Sequence, residues 1–221
     1  MNVNLLKRII TSLILLFILF FILFLNKILW IYLLIAVSII SFYEFNNLIK
    51  KSYKRKKNKI YLFNLISFLY LSFFIFTAYD IHSNSVISLL FIILICVFSD
   101  TGGYVVGKLI GGKKLTKISP NKTVSGCIGS FLFSLFPVLI FEMQKNINFQ
   151  LVDHNIISLI LICLFLSLIC QLGDLFISFF KRKAKTKDTG TILPGHGGLL
   201  DRIDGFIFVL PSSFVLIELI Y

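Results

Sequence analysis

Stretches of about 15–25 predominantly apolar residues follow one another along this chain with little between them. A hydrocarbon core roughly 30 Å thick needs about 20 helical residues at 1.5 Å each, so every such stretch is a candidate membrane span. The sequence reads as an all-α, polytopic transmembrane helix bundle of about seven spans. Span one is Ile9 to Leu25, span two about Ile28 to Phe45, span three about Ile60 to Tyr79 and span four about Ser85 to Ser99. Span five is about Val124 to Phe141, span six about Ile156 to Phe180 and the last about Gly205 to Tyr221, where Pro211 is expected to kink the helix. A water-soluble alternative fails on composition. Of the 221 residues, 57% are hydrophobic and mean hydropathy is +0.94, more apolar surface than a soluble domain of this size can hide. The first run follows Lys7 and Arg8 as a signal sequence would, but it is long for one and no small-residue cleavage site follows, so it is kept as a span.

Net charge is +12, which in a soluble protein would suggest nucleic acid. Here the basic residues stand beside spans, where the bias of positive charge towards cytoplasmic loops explains them, and no nucleic-acid partner is expected. With the amino terminus in the cytoplasm and sides alternating, 20 of the 22 Lys and Arg fall on the cytoplasmic side, seven of them between Lys50 and Lys59. Lys27 and Lys145 then lie outside, and both glycine-rich loops, Asp100–Thr123 and the stretch after span six, face the cytoplasm. The four cysteines, Cys96, Cys127, Cys163 and Cys170, lie in apolar runs without a Cys-x-x-Cys pair and read as small buried residues. No long polar linker interrupts the chain. Residues 1–90 are expected to form a scaffold of helices that also serves dimer packing, and residues 91–221 a catalytic membrane domain.

The chemistry concentrates in Ser178–Asp204, SFFKRKAKTKDTGTILPGHGGLLDRID. Asp174, just upstream and inside span six, would cost about 2.5–3.5 kcal/mol facing lipid at a helix centre, and less near its end, so it should face the bundle and have a partner. Asp201 and Asp204 are three apart and share a face if a helix starts near Leu199; with Asp174 they could hold one or two hard cations, or they could simply cap and charge a helix start. Lys181, Arg182, Lys183, Lys185 and Lys187, with backbone amides at Gly190, Gly195, Gly197 and Gly198, could hold phosphates. His196, flanked by glycines, fits a turn, a phosphate contact or a ligand role. The other loop carries Ser99-Asp100-Thr101-Gly102-Gly103 and Ser119-Pro120-Asn121-Lys122-Thr123-Val124-Ser125-Gly126. It is not a Walker loop, yet it offers amides, hydroxyls and lysines beside an acid. Two such loops on one side of a membrane bundle favour phosphoryl or nucleotidyl transfer at the bilayer surface, chemistry that depends on positioning and on neutralising charge.

The spaced pattern from Ser178 through Lys181-Arg182, Lys187-Asp188, Gly190, Leu193-Pro194-Gly195-His196-Gly197-Gly198-Leu199 and Asp201-Arg202-Ile203-Asp204 resembles the signature of the phosphatidate cytidylyltransferase (CDP-diacylglycerol synthase) family. The Asp100-Thr-Gly loop and Ser119-Pro-x-Lys122-Thr123-x-x-Gly126 resemble that family's upstream elements; the likeness is close over about residues 95–210 and elsewhere rests on apolar spans alone. The resemblance implies that CTP and phosphatidic acid of the cytoplasmic leaflet give CDP-diacylglycerol and pyrophosphate. It implies Mg²⁺, with a second cation such as K⁺, held by Asp174 and Asp201, with Asp188 and Asp204 as further candidates. It assigns Lys181, Arg182, Lys187, His196 and Arg202 to triphosphate or phosphatidate. Lys122, with Asp100, Ser119, Thr123, Ser178, Gly195, Gly197 and Gly198, would complete the substrate site. A homodimer in a bacterial cytoplasmic membrane is expected, with a front shorter than is common in the family.

Two other readings compete. Another lipid-phosphate transferase, such as a dolichol or polyprenol kinase-like protein, would share the phosphate chemistry. A non-enzymatic, cation-binding transporter would place polar residues deep in several spans, whereas here they collect at the expected cytoplasmic ends. A CDP-alcohol phosphotransferase is excluded, because Asp204-Gly205 is followed by Phe-Ile-Phe and not by the spaced residues that class needs. The topology is testable at Lys145. Lys145→Ala, on the expected outer side, should leave activity unchanged, and a large loss would show that the sides are assigned wrongly.

Overall fold

The computed structural model describes residues 17, 19–54, 56–142, 156–193 and 197–220. Among these residues the protein is helical, without a β-strand, and strand-type pairing is limited to the isolated bridges Lys114–Thr123 and Leu193–Gly197. The helices are α1 (Lys27–Ser52), α2 (Lys57–Asn84), α3 (Val86–Leu109), α4 (Val124–Phe133), α5 (Phe136–Glu142), α6 (Ile156–Lys183), α7 (Leu200–Ile203) and α8 (Phe206–Ile220). Five helical stretches among the described residues are long and apolar enough to cross a membrane: Lys27–Ser52, Lys57–Asn84, Val86–Leu109, Val124–Phe141 and Ile156–Lys183; Phe206–Leu219 is apolar but shorter. The chain is an integral membrane protein with an all-α bundle. Of the expected first span, residues 9–16 and 18 lie outside the described residues; residues 19–25 are helical.

Two compact units form, Met1–Ser83 with Phe180–Ile203, and Asn84–Phe179 with Asp204–Tyr221. In the first, α1 starts at Asn26, whose side-chain oxygen accepts from the Ile28 amide at 2.9 Å and satisfies one of the orphan donors of the first turn. α1 and α2 run antiparallel. At one end Trp30 Nε1 donates to the Ala78 carbonyl at 3.2 Å and the Trp30 ring stacks on His82 at 5.3 Å; at the other, Asn64 donates to Asn46 at 3.1 Å. The basic segment is mostly helix end, with Lys50 and Lys51 in the last turn of α1 and Lys57 and Lys59 opening α2. α2 also continues through Asp80–Asn84, the polar residues between the expected third and fourth spans. Ile81 and His82 are buried there, and the His82 Nε2 pairs with the Leu23 carbonyl at 2.9 Å, so tertiary contacts carry the helix past its polar residues.

In the second unit α3 runs on to Leu109, so Asp100, Gly102, Gly103 and Gly107 are helical and not part of a loop. Interior glycine costs a helix about 1 kcal/mol relative to alanine, and here it is offset by close helix approach. α4 packs antiparallel on α3, Gly102 facing Phe133 and Gly107 facing Gly126, and a Cβ added at Gly129 would lie 2.5 Å from Val106 Cβ and 2.8 Å from the Gly102 carbonyl. The fifth expected span is interrupted at Ser134 and Leu135. Pro137, in the first turn of α5, has no N–H to continue the ladder from Phe133. α8 passes through Pro211 without interruption. The short separation of α3 and α4 sets an expectation. Gly129→Leu should destabilise the protein by about 1–3 kcal/mol, the usual cost of overpacking, read as a lowered thermal midpoint in detergent.

Candidate functional site

Each unit gathers part of the expected site. In the second unit, Asp174 on α6 forms an ion pair with Lys122, and Ser178, one turn further on, donates to the other Asp174 oxygen at 3.2 Å. Lys122 is delivered by a turn in which its amide donates to the Ser119 carbonyl at 3.1 Å and its carbonyl accepts from the Leu115 amide at 2.9 Å. The Thr123 hydroxyl caps α4, accepting from the Gly126 amide at 3.1 Å, and so fixes the residue after the lysine. Asp100 joins from α3 through a long Cys170 thiol contact of 3.6 Å, and Ser99 and Ser167, 2.8 Å apart, tie α3 to α6. Five of the expected residues, Asp100, Ser119, Lys122, Thr123 and Ser178, are thus assembled around Asp174. The serine and threonine build the turn that aims the lysine.

In the first unit the centre is Asp201, whose side chain is 6% exposed. Lys181 Nζ lies 2.8 Å from Asp201 Oδ1. Asp201 Oδ2 accepts from the amides of Thr189 at 2.8 Å and Gly198 at 3.1 Å, and lies 3.0 Å from the Thr189 hydroxyl. Gly198 therefore spends its amide on Asp201. Gly197 has φ +85°, a left-handed conformation that favours glycine, and it lets the backbone turn beside Asp188 and Asp201. Arg182, Lys187, Asp188 and Arg202 are exposed around this core. Asp204 lies beyond α7, which ends at Ile203, and belongs to the second unit, where its Oδ1 accepts from the Gly205 amide at 2.9 Å. His196 and Gly195, with Pro194, lie outside the described residues.

One residue of this cluster escaped the sequence reading. Glu44 on α1 is 2% exposed, and its carboxylate accepts from the Thr189 hydroxyl at 2.8 Å and from the amides of Leu199 at 3.0 Å and Leu200 at 2.9 Å. The signal was available. Glu44 is the sole acid of α1, and the cost argument applied to Asp174 applies to it equally.

The acids suit a hard cation. Among the described residues no three His, Cys, Asp or Glu side chains gather as a ready-made metal cage. Mg²⁺ usually takes one or two carboxylates and fills its octahedron with water and substrate phosphate. In each unit a lysine ammonium stands against an acid oxygen, Lys122 on Asp174 and Lys181 on Asp201, so both carboxylates already hold positive charge.

Residues 52–220 match the cytidylyltransferase family, and the chain belongs to that family. It is 42% identical over 156 residues to the phosphatidate cytidylyltransferase of Staphylococcus epidermidis, an alignment covering 70% of this chain and 58% of that one. Proteins of the same description from Staphylococcus saprophyticus and Staphylococcus aureus match at 42% and 43% identity over 156 residues, with the same coverage. The matched stretch thus spans a little over half the length of these relatives. The geometry around Gly198 yields a prediction. A Cβ there would collide with Thr189 Oγ1, Glu44 Oε2 and the Gly190 amide. Gly198→Ala should loosen this segment by about 1–3 kcal/mol and speed trypsin cleavage after Lys187 and Arg202, with an unchanged cleavage rate arguing against the packing described.

Proposed function

We propose that this protein transfers a cytidylyl group from CTP to phosphatidic acid, giving CDP-diacylglycerol and pyrophosphate in phospholipid biosynthesis. The observation that carries the reading is the pair of lysine-held carboxylates, Asp174–Lys122 and Asp201–Lys181, in a chain that belongs to the cytidylyltransferase family. A phosphatidate oxygen attacks the α-phosphorus of CTP; the new P–O bond forms as the bond to pyrophosphate breaks. Little covalent work falls to the protein in such a step, which depends on alignment and charge neutralisation.

Asp174 and Asp201 are proposed as carboxylate ligands for Mg²⁺, with Asp204 in support and a second cation such as K⁺. When bound, the metal neutralises charge on the triphosphate and the departing pyrophosphate. Lys181 and Lys122, released from the acids they pair with, turn to phosphate oxygens. Arg182, Lys187, His196 and Arg202 contact triphosphate or phosphatidate, and Asp188 and Gly197 shape the backbone beside them. Residues 91–221 carry the chemistry and the helices of 1–90 serve as scaffold and as the packing surface of a homodimer. The amino terminus and the reacting loops face the cytoplasm, where CTP is, and phosphatidate enters from the cytoplasmic leaflet with its acyl chains still in lipid.

The test is conversion of labelled CTP by purified protein in detergent–phosphatidate micelles. Product that requires both phosphatidate and Mg²⁺ is expected, and folded protein giving no product would overturn the reading. Asp174→Asn and Asp201→Asn should each remove most of the turnover while membrane insertion is retained; normal turnover in either would remove that residue from the metal assignment.

A further inference from the structure

We infer that Glu44 is a positioning residue of this reaction. From α1 it holds Thr189, Leu199 and Leu200, and through them sets the place of the Asp201 carboxylate. The inference rests on the cytidylyl-transfer reading. Glu44 lies upstream of the residues that match the family, 52–220, on a helix otherwise read as scaffold.

A carboxylate withdrawn from water is tolerated only when its oxygens are filled with donors. Glu44 is 2% exposed and is met by two amides and a hydroxyl, with neither ammonium nor guanidinium among its hydrogen-bond partners in the described residues. An apolar side chain would fill an α1 position in a membrane protein at lower cost. What the carboxylate adds is geometry. Leu199 and Leu200 are consecutive, and their amides converge on Oε1 and Oε2 of the same group, which fixes the backbone immediately before Asp201. Thr189 fixes the other side. Its amide holds Asp201 Oδ2 at 2.8 Å, while its hydroxyl lies 2.8 Å from Glu44 Oε2 and 3.0 Å from Asp201 Oδ2. A hydroxyl has one proton and can serve one acid at a time. Asp201 Oδ2 already has the amides of Thr189 and Gly198, so the hydroxyl is best used on Glu44.

Two glycines of the sequence signature gain a reason. A Cβ at Gly190 would strike Glu44 Oε1, and one at Gly198 would strike both Glu44 Oε2 and Thr189 Oγ1. These glycines make room for an acid from a distant helix. Buried second-layer acids of this kind hold reacting groups within a fraction of an ångström, and a misplacement of about 1 Å can cost around 10²-fold in rate.

The test compares the full-length wild type with Glu44→Gln and Glu44→Ala in detergent micelles. Two readouts are taken: hydrogen exchange at the amides of Thr189, Leu199 and Leu200, and kcat and KM for CTP per folded molecule. The Gln side chain keeps the shape of Glu but offers one acceptor oxygen, so one amide loses its partner. Expected for Glu44→Gln are exchange at Leu199 or Leu200 accelerated about tenfold or more and kcat lowered about 10–100-fold, with KM changed much less. Glu44→Ala should go further in the same direction; if it does not fold, the Gln variant decides. A purely structural role would lower the yield of folded protein and leave kcat per folded molecule unchanged, and that result overturns the inference, as does unchanged exchange in Glu44→Gln. A wild type that does not turn over CTP would sink the cytidylyl-transfer reading instead, and exchange at Leu199 and Leu200 would still decide whether Glu44 sets this backbone.

Discussion

A carboxylate shut away from water must be surrounded by donors, and the first unit is arranged around meeting that demand twice. Glu44 and Asp201 between them take the amides of Thr189, Gly198, Leu199 and Leu200, the Thr189 hydroxyl and the Lys181 ammonium. Apart from Lys181 on α6 and Leu200 at the start of α7, these donors come from a segment with little regular structure, whose backbone groups would otherwise need water. The acids therefore do for this segment what a helix ladder does elsewhere, and the segment in turn makes the acids tolerable beside a membrane. Removing either side leaves the other with unsatisfied polar groups, which is why glycine stands wherever a side chain would push them apart.

The second unit meets a different constraint. Lipid gives helices no hydrophobic reason to approach one another, so close approach depends on small residues and polar pairs. The glycines of α3 and α4 supply the first, and Ser99 with Ser167 the second. The consequence for chemistry is local. With α3 and α4 pressed together, the turn from Ser119 to Thr123 is anchored at the head of α4, and Lys122 is presented to Asp174 from a fixed backbone.

Much of this was legible in the residues. Apolar runs point to the helices, because membrane thickness imposes their length, and the acids, lysines and glycines of the two polar regions point to the two clusters built on Asp174 and Asp201. Boundaries were less legible. The polarity of Asp80–Asn84 ends the expected third span at Tyr79 and that of Asp100 begins an expected loop, yet both stretches are helix, because His82 finds a buried partner and the glycines of α3 find a close neighbour. Neither partner is local in sequence. Glu44 was missed for a related reason: its donors lie on the far side of the chain, and a single glutamate near the end of an apolar span passes for an interfacial residue until its burial is seen.

That distance has a consequence for how the protein is made. Glu44 and its donors are separated by 145 to 156 residues. At a synthesis rate of about 5–20 residues per second, α1 waits roughly 8–30 s before Leu199 and Leu200 exist to receive its carboxylate. During that interval the acid must be hosted by water or by a passing partner, so α1 cannot settle into its final surroundings when it first enters the bilayer. Assembly of this protein is thus timed by the segment bearing Asp201, which completes the environment of a helix synthesised 145 to 156 residues before it.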